Sequence, residues 1–192
     1  MPKSFLSFRK SAQLIRENSG STGLTTTLRK AVAVFAMFDI PHFVCGGYAV
    51  QEHGYPRYTN DLDIIVPDVK LAREKLCMNG FKANPGSSMT VTDRENKVEI
   101  DLLPGGGRVG PGPLTLPMPA KVSKEPQYLT LPHLINIKLS SYLGSKVGRA
   151  RDMADVVELI KLNKLPRDYA VDSAVANTYH ELWDGLDTES RR

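Results

Sequence analysis

The chain has 192 residues, of which 41% are hydrophobic and 24% charged, and carries a formal net charge of +4. That is the profile of an ordinary globular protein, long enough for one generous domain or two small lobes with a real core. The pI near 9.0 is compatible with an anionic partner such as nucleic acid. No apolar run reaches membrane-spanning length, so no membrane partner is expected. The first twenty residues lack the apolar core and small-residue cleavage site of a secretory signal. Cys45 and Cys77 lack metal-ligand spacing and read as buried thiols in a reducing compartment, so cytoplasmic residence is expected.

In chain order, Phe5 to Glu17 is patterned as an amphipathic helix, ending in the break from Asn18 to Gly23. Thr25 or Thr26 caps a second helix through Thr27–Phe38, closed by Asp39-Ile40-Pro41. A strand, His42–Cys45, runs into Gly46-Gly47, followed by a helix over Tyr48–His53 stopped by Gly54. Leu62–Val66 is the second strand and Val69–Met78 a helix ending at Asn79-Gly80. Strands are expected at Phe81–Ala83, Met89–Thr92 and Lys97–Leu103. Pro104–Pro119 is rich in Gly and Pro and must be loop, with a last strand or two around Ala120–Leu129. Three helical periods follow, at Leu131–Leu143, Gly148–Leu162 and Arg167–Trp183, before a mobile polar tail over Asp184–Arg192. The expected fold is α+β: a mixed-sheet lobe flanked by helices over residues 1–129, then a helical lobe over 130–192.

The chemistry concentrates on acids. Asp61 and Asp63 are one residue apart on a strand and point the same way, while Leu62 and Ile64 face a core. Two carboxylates aimed together repel unless a cation sits between them, and a divalent metal is the usual answer. Glu99 and Asp101 share one face of Val98–Leu103; if that strand lies beside Leu62–Val66, Asp101 joins the first pair. The alternative is that Glu99 and Asp101 form the solvated side of an edge strand. Gly46 and Gly47 lack the Cβ atoms that would keep a phosphate away from backbone N–H groups. Arg57 and Thr59 lie in the loop entering the Asp61 strand, one as a phosphate clamp or a solvated cation, the other as a ligand neighbour or a turn cap. Lys138 falls within the apolar arc of Leu131, Leu134, Leu139 and Tyr142, where it must snorkel outward or meet an anion. Arg149 with Asp152 and Arg151 with Asp155 have the spacing of helical ion pairs. The four histidines lack ligand spacing, which disfavours zinc, and no Gly-x-x-x-x-Gly-Lys sequence occurs.

Taken together, Gly46-Gly47, the short helix, Asp61-x-Asp63 and the later Asp101 resemble the nucleotidyltransferase superfamily, whose members share a core with the palm of DNA polymerase beta. With Arg57, Thr59, Lys138-Leu139 and the run Arg149-Ala150-Arg151-Asp152-Met153-Ala154-Asp155, the block looks most like the minimal and abortive-infection-toxin branch. The resemblance covers roughly residues 30 to 162. It implies a Mg²⁺-dependent enzyme moving a nucleoside monophosphate from an NTP to an acceptor with release of pyrophosphate. Asp61, Asp63 and Asp101 would hold two Mg²⁺ ions; Gly46, Gly47, Arg57, Thr59 and Lys138 would hold the NTP; Asp152 or Asp155 would orient Lys138 or line the site. The acceptor implied by that branch is tRNA, other RNA or a protein side chain, with a cognate antitoxin as partner. Related folds that adenylylate aminoglycosides or lincosamides keep an antibiotic acceptor open, and a non-catalytic nucleotide-binding module is the reading from a different class.

Overall fold

The computed structural model describes residues 21–190; the helix expected over Phe5–Glu17 lies outside them. The described elements are α1 (Ser21–Met37), β1 (Phe43–Cys45), α2 (Gly46–Glu52), β2 (Asp61–Val66), α3 (Val69–Met78), β3 (Phe81–Ala83), β4 (Thr90–Asp93), β5 (Glu99–Pro104), α4 (Leu131–Gly144), α5 (Ala150–Asn163) and α6 (Ser173–Ser190). The strands form one mixed sheet in the order β1-β2-β5-β4-β3. Only β2 and β5 run parallel, and their register sets Asp61 beside Glu99 and Asp63 beside Asp101.

The period of two in these central strands divides the molecule into two cores. Leu62, Ile64, Val66, Ile100 and Leu102 point to one face, where α1 and α3 cover them with Leu28, Val32, Phe35, Ala72 and Leu76. The opposite face carries Asp61, Asp63 and Ile65 on β2, and Glu99, Asp101 and Leu103 on β5. Ile65 and Leu103 pack there against Leu134, Leu139, Val156 and Leu159 of the C-terminal helices. The acids therefore continue a buried apolar row at the edge of the contact between sheet and helices.

Local chemistry accounts for several departures from the expected boundaries. Thr25 and Thr27 of α1 face inward instead of capping it, and Thr26 is exposed: Thr25 bonds the Tyr48 hydroxyl at 2.8 Å and Thr27 donates to Asp93 at 2.8 Å. The helix consequently runs back through Gly23 to Ser21. No ladder strand forms over 120–129. This extended segment makes a single parallel bridge, Val44 to Tyr128, with Val44 N–H donating to the Gln127 carbonyl at 2.6 Å. The last helix starts six residues later than expected because Asp172 caps it, accepting from Ala174 N–H at 2.9 Å. The polar tail is helical to Ser190: Trp183 and Leu186 extend the apolar stripe, and Asp184 takes both Nε and Nη2 of Arg167, at 2.7 and 2.9 Å. Among the described residues no helix is long and apolar enough to cross a membrane.

The Gly/Pro loop after β5 is tied down. Leu114 N–H donates to Ser140 Oγ on α4 at 3.0 Å, and a Cβ at Gly112 would lie 2.1 Å from the Ser140 carbonyl oxygen. Glycine is the residue that lets the loop lie this flat on the helix.

Candidate active site

The three aspartates meet on one sheet face because β2 and β5 are adjacent, parallel and in register. Each outer acid has a threonine hydroxyl on one oxygen: Thr59 donates to Asp61 Oδ1 and Thr90 donates to Asp101 Oδ1, both at 2.7 Å. Asp63, between them, receives no hydrogen bond on its carboxylate among the described residues. Burial first, then the charges of Asp61 and Asp101, push its pKa from 3.8 to about 6, against the opposing pull of Lys138 and Arg57. Glu99 is drawn off by Asn84, whose Nδ2 donates to its Oε1 at 2.8 Å.

The two glycines make room for side chains of this cluster. Gly46 has φ of +62°, and a Cβ on it would fall 1.7 Å from Asp63 Oδ2. A Cβ on Gly47 would lie 2.5 Å from Arg57 Nη2 and 2.8 Å from Thr59 Oγ1. The steric requirement for glycine thus comes from the acid and the cation that close over the turn. Gly46 and Gly47 open α2, a helix of only two turns.

Behind the turn lies a buried ion network. Lys138, 4% exposed, donates from Nζ to Asp152 Oδ1 at 2.9 Å and to Asp155 Oδ2 at 2.7 Å. Asp155, equally buried, also has Arg57 Nε 3.0 Å from its Oδ1. Asp155 therefore links the two cations expected to face an NTP, and the helical pairing with Arg149 and Arg151 does not form. Geometry explains this: α4 and α5 pack face to face, so Asp152 and Asp155, one turn apart on α5, both point at Lys138. Tyr58, beside Arg57, is 79% exposed.

The donor set can be tested against a divalent ion. Among the described residues no group of three or more acid, histidine or cysteine side chains is arranged to hold a metal ion as it stands. What is present is an open arc of hard carboxylate oxygens, with one member raised in pKa by its neighbours and lacking any hydrogen-bond donor. Those features fit an oxygen-seeking cation such as Mg²⁺, which relieves the repulsion and keeps open positions for phosphate oxygens. Sequence reasoning missed Thr90 and Ser87. Thr90 lies on the strand expected over Met89–Thr92, but only the register of β4 and β5 sets it opposite Asp101.

No protein-family model matches the chain, and no curated protein matches its sequence. The mixed sheet with its flanking helices is a nucleotidyltransferase-like α+β fold. It is shared with the solution structure of the antibiotic-resistance factor ANT(2'')-Ia, an aminoglycoside nucleotidyltransferase. The two align with a TM-score of 0.51 at 11% identity, over 87% of this chain and 96% of that one. At that identity the likeness defines a fold, and the chemistry must be argued from the side chains.

Proposed function

We propose that the protein is a metal-dependent nucleotidyltransferase that moves a nucleoside monophosphate from an NTP to an acceptor and releases pyrophosphate. The observation that carries this reading is the register of β2 and β5, which sets Asp63 beside Asp101 with Asp61 on the same face. A polyphosphate carries about four negative charges, so its binding beside three carboxylates requires compensating cations. Asp61, Asp63 and Asp101 would hold the Mg²⁺ ions, which, when bound, supply charge neutralisation for the polyphosphate and acidify the acceptor hydroxyl.

This chain's own residues do the rest. Lys138 and Arg57, steadied by Asp155, carry positive charge at the phosphates; Thr59 fixes Asp61, and Asp152 shares Lys138. The acceptor oxygen forms a bond to the α-phosphorus while the α–β bridging P–O bond breaks and its electron pair leaves with pyrophosphate. The acceptor proton passes to the free carboxylate oxygen of Asp101.

For the acceptor, RNA or a protein side chain is the first reading, with a cognate antitoxin as the partner that restrains the activity. It is supported by the exposed run from Lys146 to Arg151, whose three cations have no acidic partner among the described residues. The fold shared with an antibiotic-resistance factor gives the second reading, a small antibiotic hydroxyl. A polycationic antibiotic would favour an acidic rim, which that run does not provide. The test is incubation with Mg²⁺ and each α-labelled NTP, in the presence of total RNA, candidate proteins or aminoglycosides. Label on a macromolecule supports the first reading and label on the antibiotic the second. No label on any acceptor, with the NTP left intact, rejects transfer.

A further inference from the structure

Resting on that reading of the site, we propose that Thr90 is a positioning residue for Asp101. Ser87 fixes the direction of its hydrogen bond, so that one oxygen of Asp101 is held and the other is left for the metal and the acceptor. The count of hydrogens fixes the direction of each bond. Ser87 Oγ accepts from two backbone N–H groups, Met89 at 3.2 Å and Thr90 at 3.1 Å. It also lies 2.8 Å from Thr90 Oγ1. Each hydroxyl has one hydrogen, and the Thr90 hydrogen is committed to Asp101 Oδ1 at 2.7 Å, because a carboxylate can only accept. The 2.8 Å contact must then be a donation from Ser87 to Thr90. The order is fixed: backbone N–H groups to Ser87, Ser87 to Thr90, Thr90 to Asp101.

The scaffold makes this order rigid. Ser87 sits in the β3–β4 turn, held by its N–H donating to the Asn84 carbonyl at 3.3 Å. Thr90 faces Asp101 in the antiparallel register of β4 and β5, with both side chains on the acidic face. Hydrogen bonds in a chain of fixed polarity strengthen one another. A hydroxyl donating to an ionised carboxylate is also a charge-assisted bond, stronger than a neutral one. Asp101 cannot rotate to present both oxygens at once without giving up this bond. A purely structural Ser-Thr turn would explain the Ser87 contacts but not the onward bond from Thr90 to the acid.

The test uses the full chain and three variants: Thr90→Val, Thr90→Ser and Ser87→Ala. Valine keeps the branched shape on the strand and removes the hydroxyl; serine restores the hydroxyl without the methyl. Mn²⁺ alone, titrated and read by electron paramagnetic resonance, reports the metal arm. Labelled NTP turnover reports kcat and KM. We expect Thr90→Val to weaken Mn²⁺ binding and lower kcat, each by about tenfold or more, with KM for the NTP nearly unchanged. Thr90→Ser should return both to within about threefold of the parent, and Ser87→Ala should fall between, since Thr90 can still donate. Thermal midpoints of all three should stay close to the parent's. The inference is overturned if Thr90→Val binds Mn²⁺ as the parent does, or if Thr90→Ser is as impaired as Thr90→Val. A parent chain that binds Mn²⁺ but transfers no nucleotide rejects the proposed reaction while leaving the Mn²⁺ comparison to judge Thr90. A parent that binds no Mn²⁺ overturns both.

Discussion

Replacing Asp63 with asparagine keeps the shape of the side chain and removes one of three neighbouring charges, so it separates what the acid does for folding from what it does for activity. In the metal-free protein the Asp63 carboxyl is raised from 3.8 to about 6, chiefly by burial and then by Asp61 and Asp101. A raised acid pKa means that the folded state holds a proton the unfolded chain has released. Its contribution is fully present below about pH 3.8 and is lost as pH rises through about 6. The penalty relative to a neutral side chain grows from about 1 kcal/mol at pH 4.5 to about 3 kcal/mol at pH 7.5, taking 1.36 kcal/mol per pKa unit. For a chain of this size that corresponds to roughly 6–12 °C in thermal midpoint at the higher pH. Asp63→Asn should therefore be more stable than the parent in EDTA at pH 7.5, with a gap that narrows on acidification. Urea or thermal unfolding at the two pH values reads this directly. Adding Mg²⁺ should raise the parent and not the variant, because an ion that binds only the folded state stabilises it. A variant that is equally or less stable at pH 7.5, or a gap independent of pH, would refute the electrostatic argument.

Two further outcomes follow from the ion networks. Lys138→Met leaves Asp152 and Asp155 without their shared ammonium, and breaking one side of a buried pair should cost about 3–5 kcal/mol, read as a lower urea midpoint. NTP affinity should fall with it, and an unchanged midpoint would show that Lys138 is not the buried hub described above. Asp93 behaves oppositely to Asp63. Burial raises its pKa, but hydrogen bonds from Lys30, Asn96, the Glu95 N–H and Thr27 outweigh that and bring it down to about 2. Its contribution of about 2.5 kcal/mol is present above about pH 3.8 and disappears as pH falls through about 2. Asp93→Asn should be less stable near neutrality and show a flatter acid-unfolding profile; a profile parallel to the parent's would contradict this.

Much of the frame was legible because its signals are local. Alternation in Asp61–Val66 and Glu99–Leu103 sorted acids from aliphatics, and Val69–Met78 and Phe81–Ala83 have the boundaries their patterns announce. The α+β class followed from the same periods. Spacing alone did not reveal the partners of Asp152 and Asp155, since i,i+3 and i,i+4 favour Arg149 and Arg151; the tie to Lys138 was implied only by the family resemblance. The contact with Lys138 exists only once α4 and α5 are packed. Gly46 and Gly47 read as openings for phosphate, and the close approach of Asp63, Arg57 and Thr59 to the same two positions is set only by the tertiary structure. The end of α6 was hidden because its stabilising pair, Arg167 with Asp184, spans seventeen residues. Thr90 escaped because a threonine in a short strand carries no signal until its cross-strand partner is known.

On the proposed reading, Asp61, Asp63 and Asp101 gather divalent ions at the phosphates of an NTP. Anomalous diffraction from crystals grown with Mn²⁺ and a non-hydrolysable NTP tests it most directly. Manganese is expected within direct coordination distance of oxygens of all three aspartates, with phosphate oxygens completing the shell. Manganese held elsewhere, or a shell from which Asp101 is missing, would contradict it.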